Sequence, residues 1–118
     1  MKIKVLGCYG GQMPGRNNTA FLIDGGVLLD AGTIALNAGI EEQRKIRAVL
    51  LTHAHIDHTG ALPFFSVNIV SNKGKGVDIW GSPYTLNALK KYLMNGITWP
   101  DFTMIKTLAE IKYLIIKR

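Results

Sequence analysis

Apolar residues fall into short runs separated by polar, glycine-rich stretches, and the spacing within each run predicts its element. "KIKVLG", residues 2–7, alternates and ends in glycine, which predicts a first strand. "GCYGGQMPGRNN" (7–18) is too rich in glycine, proline and asparagine for regular structure and reads as a long loop. "AFLIDGGVLLDAG" (20–32) holds two apolar runs joined by Asp24-Gly25-Gly26, a hairpin signal. "IALNAGIEEQRK" (34–45) has helical character interrupted by Gly39, and "IRAVLLT" (46–52) is a continuous apolar run, the mark of a strand covered on both faces. "HIDHTGALPFFSV" (55–67) predicts a helix whose regularity Pro63 limits. "SNKGKG" (71–76) reads as a turn and "VDIWG" (77–81) as a strand. In "SPYTLNALKKYLM" (82–94), Ser82 can cap a helix, Pro83 suits its first turn, and Leu86, Leu89 and Leu93 share a face. "NGITWPDFT" (95–103) is a loop with two aromatics, and "EIKYLIIKR" (110–118) is a final apolar strand. Strands alternating with helices predict an α/β protein with a mixed sheet and flanking helices.

With 118 residues, 47% of them hydrophobic and 19% charged, the chain suits one globular domain. No apolar run approaches the roughly 20 residues that cross a bilayer, so no membrane partner is expected. The opening "MKIKVLGCYGG" lacks the long apolar stretch and cleavage site of a signal peptide. The single cysteine, Cys8, excludes an internal disulfide and is expected to be a small core residue. A cytoplasmic protein is the simplest reading. The formal net charge of +6 suits phosphate-bearing partners, but the lysines and arginines are scattered as a solvated surface requires. No nucleic-acid patch is expected from them.

The chemistry is concentrated in "LLTHAHIDHTGALP" (50–63), which holds every histidine of the chain, His53, His55 and His58, with Asp57 among them. At the carboxyl end of a strand, alternation turns His53 and His55 the same way, while Asp57 and His58 turn together at the helix start. Imidazole and carboxylate suit Zn, Mn or Fe. Two such ions, about 3.5–4 Å apart, can clamp a phosphoryl oxygen for hydrolysis. A coincidental polar loop accounts poorly for four ligand-type side chains in six positions.

"THAHIDH" resembles the signature of the metallo-β-lactamase fold superfamily. The flanking segments are similar to class II 3′,5′-cyclic-nucleotide phosphodiesterases: Gly7-Cys8-Tyr9-Gly10-Gly11, Leu28 to Thr33, Ala61-Leu62-Pro63, and Asn95 with Trp99 to Phe102. The resemblance implies the first half of an αββα sandwich spanning 1–118. It implies His53 and His55 as ligands of one ion and Asp57 and His58 as ligands of a second, with Asp57 and His58 catalytic. The cofactors implied are two divalent ions, zinc first, with manganese or iron as alternatives. Asp30 resembles the aspartate that orients ligand histidines from behind, the alternative being a strand-ending aspartate in a turn. Trp99 could stack a nucleobase, and Asn95 could read a base edge or fix the loop. The alternative for Trp99 and Phe102 is a plug beneath that loop.

Family members complete each metal site with a further histidine and share a bridging aspartate, all from a second half. Here no histidine follows His58, and Asp78, Asp101 and Glu110 lack a matching context. Relatives also often have an aspartate near Val67 and a histidine near Tyr92. The chain is therefore expected to be an apparently truncated half, inactive alone, with a sheet face or edge uncovered. The expected function of the parent is hydrolysis of cAMP or cGMP to the 5′-monophosphate. One alternative is an RNA-processing phosphodiesterase, because transfer-RNA 3′-processing endonucleases share the histidine motif. Another is a non-catalytic remnant that pairs through its open edge, and a homodimer is the further partner left open.

Overall fold

The computed structural model describes residues 1–34, 36–71, 76–104 and 109–113. Among the described residues, six strands form one sheet in sequential order: β1 (Ile3–Gly7), β2 (Ala20–Ile23), β3 (Val27–Leu29), β4 (Ala48–Leu50), β5 (Val77–Gly81) and β6 (Ala109–Tyr113). The first three pair antiparallel and the last three join in parallel, giving the expected mixed sheet. The β2–β3 hairpin turns through Asp24-Gly25-Gly26, where Asp24 and Gly25 take φ of 47° and 68°. An Asp-Gly pair tolerates that left-handed backbone, which is why the polar triplet reverses the chain here.

The parallel strands are separated by helices: α1 (Ile40–Gln43), α2 (Ile56–Thr59), α3 (Leu62–Ser71) and α4 (Pro83–Ala88), the last continued by a π-helical turn over Leu89–Leu93. Pro63 falls in the first turn of α3, where its missing N–H leaves no intrahelical bond unmade. Ser82 caps α4 as expected, accepting from the Thr85 N–H at 3.1 Å. Leu86 and Leu89 enter the core, and Leu93 packs against it. The helical character of 34–45 narrows to four residues that start directly after Gly39. Ala35, residues 72–75 of the expected turn and residues 114–118 of the final run lie outside the described residues.

One core cluster joins Leu22, Leu28, Val49 and Ile79 of the sheet to Leu62, Phe65, Ile69, Leu86 and Leu89. The other face is different. The strand register lines up Val5, Phe21, Leu29, Leu50 and Trp80 in one apolar row across five strands, and all five are exposed or half-buried. This corrects the expectation for "IRAVLLT": in β4 only Val49 is buried, with Ala48 and Leu50 half-buried on the open face. Cys8 is a second correction, since its thiol is exposed. Its loop is fastened by backbone hydrogen bonds such as Tyr9 N–H to the Asn17 carbonyl (3.0 Å), so attachment requires no burial of the Cys8 side chain. Among the described residues, no helix is long and apolar enough to cross a membrane.

Candidate functional site

Parallel pairing places Leu29 beside Leu50, so the residues leaving β3 and β4 emerge side by side at one end of the sheet. Asp30 leaves β3 and donates its N–H to the Leu50 carbonyl at 2.8 Å. Its φ of 57° is unusual for a residue with a side chain. This turn delivers a carboxylate, only 3% exposed, beneath the residues that follow β4. Asp30 Oδ1 accepts from the Thr52 N–H at 2.8 Å, and the Thr52 hydroxyl donates to the same carboxylate at 2.8 and 3.0 Å. Asp30 Oδ2 also accepts from His58 Nδ1 at 2.8 Å.

These bonds order the protons. A carboxylate only accepts, so His58 carries a proton on Nδ1 and, in the neutral ring, presents its Nε2 lone pair away from Asp30. The hydroxyl proton of Thr52 goes to Asp30, so Thr52 Oγ1 accepts from His53 Nδ1 at 2.9 Å, which leaves His53 Nε2 as the outward lone pair. One buried carboxylate thus sets two imidazoles, one directly and one through a threonine. The sequence singles out Asp30 but not Thr52. The available signal was a hydroxyl residue at the junction between the apolar strand and the first histidine.

The cluster is drawn together around His53, whose ring centroid lies 4.1 Å from that of His58 and 4.6 Å from that of His55. Asp57 Oδ2 stands 3.4 Å from His58 Nε2. Backbone bonds fasten α2 to two neighbouring segments: Thr19 N–H to the Asp57 carbonyl (3.2 Å) and Ala31 N–H to the His58 carbonyl (2.7 Å). Gly32 makes this approach possible, because a Cβ there would fall 1.8 Å from the Asp57 carbonyl oxygen.

The four side chains expected to bind metal are therefore neighbours, yet among the described residues no three His, Cys, Asp or Glu groups converge on a point that could hold an ion. The donors are oriented, but they do not by themselves make a closed site.

Asn95 has a local role. Its carbonyl oxygen accepts from the Ile97 and Thr98 N–H groups (2.9 and 2.8 Å), and its amide donates to the Lys91 carbonyl (3.0 Å), which is the loop-fixing option. Trp99 meets Phe64 edge to face, with centroids 5.2 Å apart, and its buried indole N–H has no partner among the described residues. Phe102 is buried, as a plug beneath the loop would be. Beside Asp57 opens a cavity of about 760 Å³, walled by Gly10, Leu36, Ile56, Phe64 and Asn68 among others.

This architecture has known counterparts. The unliganded yeast PDE1 structure superposes with a TM-score of 0.76 at 20% identity, over 98% of this chain and 51% of that one. The metallo-β-lactamase fold protein YhfI of Bacillus subtilis does so with a TM-score of 0.69 at 18% identity, over 98% of this chain and 46% of its own. The fold is the first half of a metallo-β-lactamase-type sandwich, and the chain spans about half the length of these solved relatives. In sequence, a 3′,5′-cyclic-nucleotide phosphodiesterase of Saccharomyces cerevisiae is 39% identical over 54 residues, covering 45% of this chain and 15% of that enzyme. Ribonuclease J of Thermus thermophilus is 43% identical over 51 residues, covering 43% of this chain and 9% of that protein. The model of the class-II cAMP phosphodiesterases matches residues 34–117, most of the chain and all of its histidine cluster, and the chain belongs to that family.

Proposed function

We propose that this chain is the amino-terminal half of a metal-dependent phosphodiesterase domain that hydrolyses 3′,5′-cyclic nucleotides to 5′-monophosphates. The family match over residues 34–117 carries this reading, because it takes in the whole histidine cluster. His53, His55, Asp57 and His58 are one part of the donor set for two divalent ions, zinc first, and Asp30 with Thr52 presets the imidazoles. Bound ions would supply the positive charge that a phosphodiester requires in its transition state. The remaining donors would come from a second half. Without them, the 118 residues are proposed to bind zinc or manganese weakly and to have no turnover. A cytoplasmic setting remains part of this proposal.

A second reading, RNA cleavage, is favoured by the ribonuclease J similarity and the +6 charge. Lysines that do not cluster count against it. The test compares cAMP, cGMP and a transfer-RNA precursor as substrates of the chain joined to a family-like second half. Faster cleavage of a cyclic nucleotide is expected, and faster cleavage of the precursor would overturn the assignment. Calorimetric titration of the chain alone with zinc gives a second check, and a His53→Ala, His55→Ala double variant should abolish the weak binding.

A further inference from the structure

We propose that the cavity beside Asp57 is the subsite for the substrate's nucleobase, with Phe64 as its stacking platform and Trp99 as the residue that positions Phe64. The assignment rests on the cyclic-nucleotide reading and goes beyond it by naming where the base lies and what holds it. Four observations converge.

The first is charge. Among the described residues lining the cavity, Asp57 is the one charged group, and no lysine or arginine contributes. A phosphate would meet only a carboxylate there, so the cavity suits the uncharged part of a nucleotide. The second is shape and location. At about 760 Å³ the cavity falls within the range of small-molecule pockets, roughly 300–1,000 Å³. Asp57 belongs both to its wall and to the histidine cluster. A ligand with its ring in the cavity would reach the imidazoles past Asp57, whose carboxylate stands 3.4 Å from His58 Nε2.

The third is Phe64. Its neighbours Leu62 and Phe65 on α3 are buried, whereas Phe64 is 55% exposed and lines the cavity. A phenyl face left open at the edge of a polar cluster can take a flat ring. The fourth is Trp99, which reaches Phe64 from a loop 35 positions later in the chain and meets it at an interplanar angle of 67°. Edge-to-face packing fixes the tilt of the phenyl ring while leaving a face open. Among the described residues the buried indole N–H has no hydrogen-bond partner, so the contact that places the indole ring is the one with Phe64, while the Trp99 backbone is held by the Gly96 N–H at 2.8 Å.

The test needs neither turnover nor metal. Adenosine, which has no phosphate, is titrated into the 118-residue chain, and binding is followed by amide chemical shifts, with inorganic phosphate as a control. Adenosine should shift amides of residues 10–12 and 56–68, and phosphate should leave the cavity residues unmoved. Phe64→Ala should weaken adenosine binding about tenfold or more, the lower part of the range for one base–aromatic stack, while Phe64→Tyr, which keeps the ring, should retain it. Trp99→Ala should also weaken binding and change the ring-current shifts around Phe64, and Trp99→Phe should restore both. Circular dichroism checks that each variant folds. Equal adenosine affinity in wild type and Phe64→Ala, shifts confined to other residues, or no adenosine binding at all would each overturn the subsite. Those outcomes leave the phosphodiesterase reading intact, because it is judged separately by zinc titration and by substrate comparison.

Discussion

Two polar clusters stand after structured segments of this chain, and they are built in opposite ways. Asn95 bonds to partners two to four positions away: Lys91, Ile97 and Thr98. Asp30 bonds to Thr52 and His58, 22 and 28 positions away. The first cluster closes a turn that its own segment specifies. The second exists only because β3 and β4 pair in parallel and α2 docks behind Gly32. A local cap stabilises a loop, whereas a long-range carboxylate couples the sheet to the orientation of two imidazoles. The difference is one of consequence: losing Asn95 should be felt locally, and losing the Asp30 network should be felt throughout the site.

The largest expected effect is at Gly32. In Gly32→Ala a methyl would have to occupy space 1.8 Å from the Asp57 carbonyl oxygen. Backbone cannot yield as a flexible side chain does, so we expect a loss of roughly 3 kcal/mol, the upper part of the usual overpacking range. Urea unfolding measures it, and a variant within experimental error of wild type would show that α2 is free to move away from the β3 turn.

Next is Asp30. Asp30→Ala removes the acceptor of the Thr52 N–H and of His58 Nδ1, two part-buried hydrogen bonds whose loss should cost about 2 kcal/mol together. The same position separates two contributions, because its φ is 57°. Asp30→Gly loses the same hydrogen bonds but relieves the left-handed backbone, so it should be about 1–2 kcal/mol more stable than Asp30→Ala. Equal stability of the two would show that the turn carries no strain.

The smallest effects sharpen the contrast between long-range and local bonding. Thr52→Val removes the hydroxyl between Asp30 and His53 and should cost about 1 kcal/mol. Nitrogen chemical shifts should then show His53 losing its single tautomer while His58 keeps its own. Asn95→Ala should cost about 0.5 kcal/mol, with faster amide exchange limited to Ile97 and Thr98 and no change at any histidine. A change at His58 in that variant would break the distinction between the two clusters.

Much of the fold is written in short segments. The hairpin at Asp24-Gly25-Gly26, the Ser82 cap and the Leu86, Leu89 and Leu93 face rest on neighbours within a few positions, so composition and spacing expose them. The histidine motif is equally local. Its spacing alone places His53, His55, Asp57 and His58 around one helix start.

Which partners those segments meet is not a local property. "IRAVLLT" reads as a strand buried on both sides because apolar content reports tolerance for burial, whereas burial itself needs a covering layer that the strand's own residues do not specify. Cys8 reads as core because its size permits burial, yet backbone bonds hold its loop and leave the thiol outside. Thr52 and Phe64 look ordinary in sequence. One becomes a hydrogen-bond bridge to His53 only when Asp30 arrives beneath it, and the other gains an aromatic neighbour only when the Trp99 loop packs beside it. The sequence by itself determined the chemistry available and the elements that carry it, since both depend on residue type and short spacing. Only the tertiary structure decided which carboxylate orders which imidazole and which ring stays exposed. Those contacts cross 22 to 35 positions and depend on register and docking, which no single segment contains.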